Sequence, residues 1–293
     1  MARKLAFKII ITIAVLIILV SIAVFSMILP RAGQEHPTSS KVSLKSTEKT
    51  SAMGGVDNCE LTVVVDNYPD GGLETAWGVS ILARTSSATI LFDTGPDPGV
   101  LERNMKRLGI DPGEIDFVVV SHEHLDHVGG LSYLAKVRPG IKVYVPRDMH
   151  GGAKNGLEKM GFKVIEVGNT SIIADGIAII GQLRGPPMEQ ALAINVKGLG
   201  LVTLVGCSHP GVVKIVEKAV NDLGIKPYLV LGGFHKSGAP PSECERIIRG
   251  LTGLGIRKIA PIHCSGDAIR SMLEKNYPEY YLKCYVGCGV SLP

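Results

Sequence analysis

Apolar and polar positions divide the 293-residue chain into three parts. The first holds a nearly unbroken apolar run of 21 residues, Ile9 to Leu29. At about 1.5 Å per residue, a helix of that length spans the roughly 30 Å hydrocarbon core of a bilayer. Arg3, Lys4 and Lys8 precede the run, whereas Arg31 and Lys41 mix with Glu35 beyond it. The positive-inside rule then puts the N-terminus in the cytoplasm and the rest of the chain outside. A cleaved signal peptide is the alternative, but its apolar core is typically about 7–15 residues, and no clear Ala-x-Ala site follows. Residues 1–30 are therefore expected to be a transmembrane anchor. Residues 31–57 are rich in Ser, Thr and Lys, carry too few apolar side chains to pack, and read as a flexible linker.

From residue 58 onward, short β-branched runs alternate first with turns and later with helical stretches. Strands are expected at 61–65, 78–83, 89–92, 117–120, 142–145, 163–167, 191–196, 201–205, 228–231 and 258–262. Asp97-Pro98 offers an N-cap and a first-turn proline for a helix that reaches Leu108 and stops at Gly109. An amphipathic helix follows from Pro210 to Leu223, ended by Gly224, with further helices from Pro241 to about Leu254 and from Ala268 to Lys275. Two sheets with helices on their outer faces would bury all of these elements. No Pro/Gly/Ser-rich break divides residues 58–293, so one α/β domain is expected.

Charge and cysteine content narrow this picture only a little. The formal charge of +4 comes from 31 Lys and Arg against 27 Asp and Glu, and part of the excess sits in the anchor and linker. Basic residues are scattered and aromatics are few, which does not indicate a nucleic-acid surface. Attraction to anionic lipid beside the anchor is the more natural use of the charge. The six cysteines show no zinc-ribbon spacing, and their redox state stays open.

The chemistry concentrates at strand ends, above all in Ser121-His122-Glu123-His124-Leu125-Asp126-His127. His122 and His124 are two apart on a backbone leaving a strand, so their side chains point the same way and can grip one ion. Asp126 and His127 follow at a turn and can reach a second ion. Paired first-row metals lower the pKa of water towards roughly 7, which makes a nucleophile at neutral pH. Further polar groups also end strands. Asp93 is either a structural N–H acceptor or an orienter of a metal ligand. His209 sits before a helix and is a ligand candidate. Cys207 beside it could be a ligand, but reads rather as a small buried residue behind one. His235 and Lys236 are candidates for receiving a negatively charged substrate group, with Arg184 as a further one. His263, ending strand 258–262, can close the second metal position.

The run from His122 to His127, preceded by Phe92-Asp93-Thr94-Gly95 and followed by His263, resembles the metallo-β-lactamase fold. The resemblance covers about residues 60 to 292 and implies an αββα sandwich with a mono- or dinuclear metal site. Gly206-Cys207-Ser208-His209, Gly232-Gly233-Phe234-His235 and His263-Cys264-Ser265-Gly266 resemble the branch named for 7,8-dihydropterin-6-yl-methyl-4-(β-D-ribofuranosyl)aminobenzene 5'-phosphate synthase. That branch implies a pterin-linked, phosphate-bearing substrate. The superfamily pattern puts His122, His124 and a third histidine on one metal, and Asp126, His127 and His263 on the other. Here the stretch 181–190 contains no histidine, and Gly206-Cys207 stands where a bridging Asp is expected. His209 is the substitute for the missing histidine.

These readings lead to a metal-dependent hydrolase or transferase with Asp126 and His263 in catalytic roles. Its cofactor is two divalent ions, Zn first, with Fe or Mn suiting the same donors. The substrate is a small, phosphate-bearing molecule. A membrane-tethered metal-binding module without turnover is the alternative, with filled coordination shells. A di-iron redox site is a third reading; Glu123 suits it, but no acidic bridge is evident.

Overall fold

Alternating burial along the strands sorts their side chains into two layers facing each other and two facing outward. The structure, a computed structural model, describes residues 53–69 and 71–293. The expected anchor over residues 1–30 and the linker up to residue 52 lie outside the described residues. Among the described residues, no helix is long and apolar enough to cross a membrane. Residues 53–57, read as the end of the linker, belong to the folded domain: Met53 and Val56 are buried, and Val56 bridges Val196.

Seven strands form the first sheet: β1 (Cys59–Val65), β2 (Ser80–Thr85), β3 (Thr89–Phe92), β4 (Phe117–Val119), β5 (Lys142–Pro146), β6 (Lys163–Val167) and β13 (Gly289–Leu292). Their order is β13-β1-β2-β3-β4-β5-β6. The second sheet holds β7 (Ser171–Ala174), β8 (Ile177–Arg184), β9 (Met188–Val196), β10 (Gly200–Val205), β11 (Pro227–Gly233) and β12 (Lys258–Ile262), ordered β12-β11-β10-β9-β8-β7. Strands β3 to β6 run parallel, as do β10 to β12.

The period of two decides which layer each side chain joins. Ile90 and Phe92 of β3 meet Leu229 and Leu231 of β11 in the core between the sheets. Leu91 and Val230 point the other way, into the cores under the helices. Helices α1 (Pro98–Arg107), α3 (Leu131–Val137) and α4 (Gly151–Lys159) cover the first sheet, and α5 (Val212–Leu223), α6 (Pro241–Gly253) and α7 (Asp267–Asn276) the second. Between α1 and α3, α2 (Leu125–Val128) is a single turn. The αββα sandwich expected from the sequence is therefore present.

Local chemistry sets the helix ends. The Asp97 carboxylate accepts the Val100 N–H at 2.8 Å at the start of α1. Helix α5 buries Val212, Ile215, Val216 and Ala219 on one stripe and ends at Gly224, whose φ is 68°. Burial of its three larger side chains contributes about 1.5–3 kcal/mol each. It starts at Val212 rather than Pro210, because Ser208 to Gly211 form a turn first, closed by the Gly211 N–H donating to the Ser208 carbonyl.

Several elements escape the sequence pattern, among them the short helices α2 and α3. The hairpin β7–β8 carries Ile177 to Ile180, buried on both faces and so without alternation. Helix α4 contains three glycines, poor helix formers, and is started by His150 accepting the Gly152 N–H at 3.2 Å. Edge strand β13 is four residues long. Cys284 and Cys288 form a disulfide, whereas Cys59, Cys207, Cys244 and Cys264 are free and buried.

Candidate metal centre

The residues that follow β3, β4, β10, β11 and β12 meet at one edge of the sandwich, and the backbone there is strained. Among the described residues, Asp93, Ser208, His235 and His263 are the non-glycine positions with positive φ, at 55°, 59°, 52° and 50°. Each such residue costs about 1 kcal/mol or more, and strain of this kind collects where side chains must be aimed.

Two main groups of donor atoms result, and a third, Cys207, His209 and His235, shares a member with each. His122, His124 and His209 form one, and Asp126, His127, Cys207 and His263 the other; within each group the atoms lie within 4.8 Å of one another. The chain leaves β4 extended through His124, so His122 and His124 stay on one side, with Nε2 of the first 3.1 Å from Nδ1 of the second. Helix α2 then turns Asp126 and His127 towards the second group. The N–H and hydroxyl of Thr94 hold this turn, donating to the His127 carbonyl at 2.8 and 3.0 Å. His209 arrives from the loop after β10, its ring 4.9 and 5.0 Å from those of His122 and His124. The substitute histidine expected from the sequence thus lies with the other two.

Supporting groups aim these side chains. Asp93 is at once an N–H acceptor and an orienter: it accepts the Ser121 N–H at 2.7 Å and the Ser121 hydroxyl at 2.6 Å, and lies 2.7 Å from His127 Nδ1. His127 Nε2 is left to face the site. Buried Glu189 accepts the N–H groups of Ser208 and His209, both at 2.7 Å. Asp66, after β1, accepts the His263 N–H at 2.8 Å, and the Asn67 amide oxygen lies 3.3 Å from His263 Nδ1. Cys207 is buried, as the sequence reading has it, and its Sγ faces His127 Nε2 at 3.2 Å and His263 Nε2 at 3.4 Å.

Electrostatics keep the donors available. Burial, with His127, His209 and His124 nearby, holds His122 well below the usual histidine range. Burial and the neighbouring His235 and His124 bring His209 down to about 4. Both rings are therefore neutral near pH 7 and present lone pairs. Burial pushes the Asp126 carboxyl up, but His263 and His127 outweigh it and bring it down to about 2. His127 is raised, because the Asp93 carboxylate outweighs the cost of burial. Burial lifts Glu189 to about 7 despite its two N–H partners.

This donor chemistry fits divalent metal ions. Three facing imidazoles leave the buried His209 Nε2 without a hydrogen-bond partner, an arrangement that is costly without a cation to accept its lone pair. Three histidines on one side, and Asp, two His and Cys on the other, are the types and numbers that hold first-row metals.

His235 and Lys236 lie beside the first group rather than in it. The His235 ring is 4.5 Å from that of His209, and both histidines line a cavity of about 270 Å³ with Lys214, Lys236 and Arg246. Lys236 pairs with Glu243 at 2.8 Å, with Arg246 on the same carboxylate at 3.6 Å, so positive charge is in excess there. Arg184 ends β8 as an exposed residue. On the opposite flank Trp77, 56% exposed, places its ring 5.2 Å from His263.

Sequence reasoning misses Asp66, Glu189, Trp77, Lys214 and Arg246. Asp66 follows an apolar strand, as Asp93 does, and that signal is present in the chain. Glu189 carries a weaker one, as a carboxylate two residues before a buried apolar run.

Comparison with known proteins agrees with this architecture. Residues 78–220 match the sequence model of the Metallo-beta-lactamase superfamily. The chain is 29% identical over 287 residues to a 7,8-dihydropterin-6-methyl-4-(beta-D-ribofuranosyl)-aminobenzene-5'-phosphate synthase of Methanocaldococcus jannaschii, covering 80% of this chain and 97% of the relative. Among solved structures, a metal-dependent hydrolase of the β-lactamase superfamily superposes with a TM-score of 0.69 at 24% identity, over 80% of this chain and 99% of the other. Human tRNase Z, short form, superposes at 0.56 and 14% identity, with 80% and 99% covered. Over residues 78–220, the chain is similar in sequence to the metallo-β-lactamase superfamily.

Proposed function

We propose that this chain is a metal-dependent hydrolase or transferase that acts on a small molecule joining a planar, pterin-like ring to a phosphate or ester. The observation that carries the reading is the pair of adjoining donor groups gathered at strand ends, four of which carry a strained non-glycine residue. The first position is His122, His124 and His209; the second is built on Asp126, His127 and His263. When bound, divalent ions there supply Lewis acidity to a phosphoryl or acyl oxygen and lower the pKa of water to about 7. Zinc suits the donors, with iron or manganese as alternatives.

The chain's own residues would bind and orient the substrate. Lys214, Lys236 and Arg246 offer cationic donors to an anionic group lying beside His209. His235, held above its ordinary range by the Cys264 sulfur, adds a hydrogen-bond donor to that group. Trp77 offers an exposed aromatic face beside His263, suited to a flat heterocycle. The synthase relative, whose name joins a dihydropterin to a 5'-phosphate, supports the same pairing of ring and anion. Asp126, a carboxylate down to about 2, balances the positive charge of the site. The apolar segment 9–29 would hold this chemistry at the outer face of a membrane.

Trp77 is the chain's single tryptophan, so its fluorescence reports the site directly. A 6-substituted pterin phosphate should quench it saturably, and the metal-loaded protein should turn over phosphate or diphosphate esters. Replacing Lys236 and Arg246 together by Ala should weaken the phosphorylated pterin roughly 10- to 100-fold and leave the unphosphorylated one nearly unchanged. Absence of both quenching and turnover would refute the reading.

The Asp93 contact carries its own prediction. Asp93→Asn keeps the shape but removes the negative charge that holds His127 Nδ1. Metal affinity at the second position should fall about 10- to 100-fold in a competitive chelator titration. Unchanged affinity would mean that Asp93 serves only Ser121.

A further inference from the structure

We propose that the edge of the sandwich opposite the metal centre docks on an anionic bilayer surface through Arg138, Lys142 and Lys163, with Val137 and Met160 entering the headgroup layer. The inference goes beyond the metal-dependent reading and uses none of its donor residues.

Strand direction brings these residues together. The parallel strands β3 and β4 end at the metal centre, so Lys142 and Lys163, the first residues of their neighbours β5 and β6, stand at the far edge. The two lysines are register partners, and both are exposed. Tyr144 and Ile165, two positions on, pack on the core between the sheets, so both lysines lie at the rim of that core. They line a cavity of about 270 Å³ with Arg138, which follows α3, and Asp116.

Charge in the cavity is unbalanced. Asp116 already accepts the Thr89 N–H at 2.8 Å, and none of the three cations forms an ion pair among the described residues. Arg138 Nη2 donates to the Ile115 carbonyl at 2.6 Å, which fixes the guanidinium, while its buried Nε has no hydrogen-bond partner. Like charges on strands about 4.8 Å apart repel, and an anion held between them relieves that cost.

Two observations make a bilayer the occupant. The first is the apolar flank of the cavity. The Gly140 N–H donates to the Gly161 carbonyl at 3.1 Å and joins the loops after α3 and α4. Beside those glycines stand Val137, 44% exposed, and Met160, 46% exposed. Lys136 and Lys159, in the last turns of the two helices, add exposed cations against the exposed Glu158. A small free anion gains nothing from the apolar pair, whereas a membrane surface takes up cations and apolar tips together. The second is where the chain enters the domain. Val56 bridges Val196, the last residue of β9, and β9 runs antiparallel to β10, whose far end leads to His209. The chain therefore enters at the docking edge, and in the sequence only residues 30–52 separate the apolar segment 9–29 from Met53. Docking by this edge turns the metal centre away from the lipid.

Lipid quenching tests the orientation. The full-length protein is reconstituted in vesicles of phosphatidylcholine with phosphatidylglycerol, some of the lipid brominated near the headgroup. Trp77, the chain's single tryptophan and a neighbour of His263, should stay unquenched. Met160→Trp should add a component that is quenched on those vesicles and not on phosphatidylcholine alone. Lys142→Glu and Lys163→Glu together should lower that quenching at least fivefold, and salt at about 0.5 M should weaken it. Amide exchange of the unaltered protein should slow at residues 137–142 and 159–163 on the anionic vesicles, which decides the matter even where Met160→Trp fails to fold. Trp77 quenched as strongly as residue 160, equal quenching on both lipids, or unchanged exchange in the two loops overturns the inference. The metal-dependent reading stands in each of those cases, because none of these readouts involves metal or turnover. Protein that floats with neither kind of vesicle overturns the inference together with the reading of segment 9–29 as an anchor.

Discussion

Replacing His263 by Asn is expected to remove one equivalent of bound metal and to lower kcat/KM on the order of 10³-fold, while the domain stays folded. The size follows from losing several kcal/mol of transition-state stabilisation, at about 1.4 kcal/mol per factor of ten. Asn is a better probe than Ala because residue 263 has φ 50°, where Asn is tolerated and Ala is strained. The backbone N–H of residue 263 can still donate to Asp66, so the anchor of the loop survives the change. Metal analysis and steady-state kinetics check the prediction, with circular dichroism as the control for folding. Two metal equivalents and undiminished activity would remove His263 from the site.

Gly232→Ala is expected to cost more than about 3 kcal/mol of stability. Gly232 has φ 145°, and a Cβ there would lie 1.9 Å from the Val205 carbonyl oxygen and 2.7 Å from Val205 Cγ2. The obstacle is backbone of the neighbouring parallel strand, paired with Gly232 itself, and it cannot move without opening the sheet. For a domain of this size the melting temperature should fall by at least roughly 6–12 °C. Because β10 leads to Cys207 and His209 and β11 to His235, metal binding should suffer along with stability. Gly253, at the end of α6 with open space around its Cβ position, is the matched control, and Gly253→Ala should be neutral or slightly stabilising. Equal stability of the two variants would contradict the crowding at β10 and β11.

Local patterns along the chain make the strands, the helix caps and the histidine run legible. The spacing of His122 and His124 states its own geometry, because two residues on an extended chain face the same way whatever surrounds them. His209, expected as the substitute for a histidine that the family pattern has elsewhere, has its ring brought by the fold beside those of His122 and His124. What the chain hides depends on contacts between distant segments. Asp66 holds the His263 N–H across 197 residues, and Glu189 acts on the loop after β10 only because β9 lies beside that strand. No window of sequence contains either relation. The cationic cleft unites Lys214 of α5, Lys236 after β11 and Arg246 of α6, three residues that look like scattered surface charge when read in order. Cys207 shows the same limit, since its small size and burial resemble those of a core residue until the partners of its sulfur are known.

The central claim is that two adjoining donor groups hold two metal ions. Anomalous diffraction from crystals of the zinc-loaded protein tests it most directly, because it locates ions without relying on activity. The expected result is two peaks, one among His122, His124 and His209 and the other among Asp126, His127, Cys207 and His263. Crystals of zinc-saturated protein with no anomalous peak in either group would contradict it.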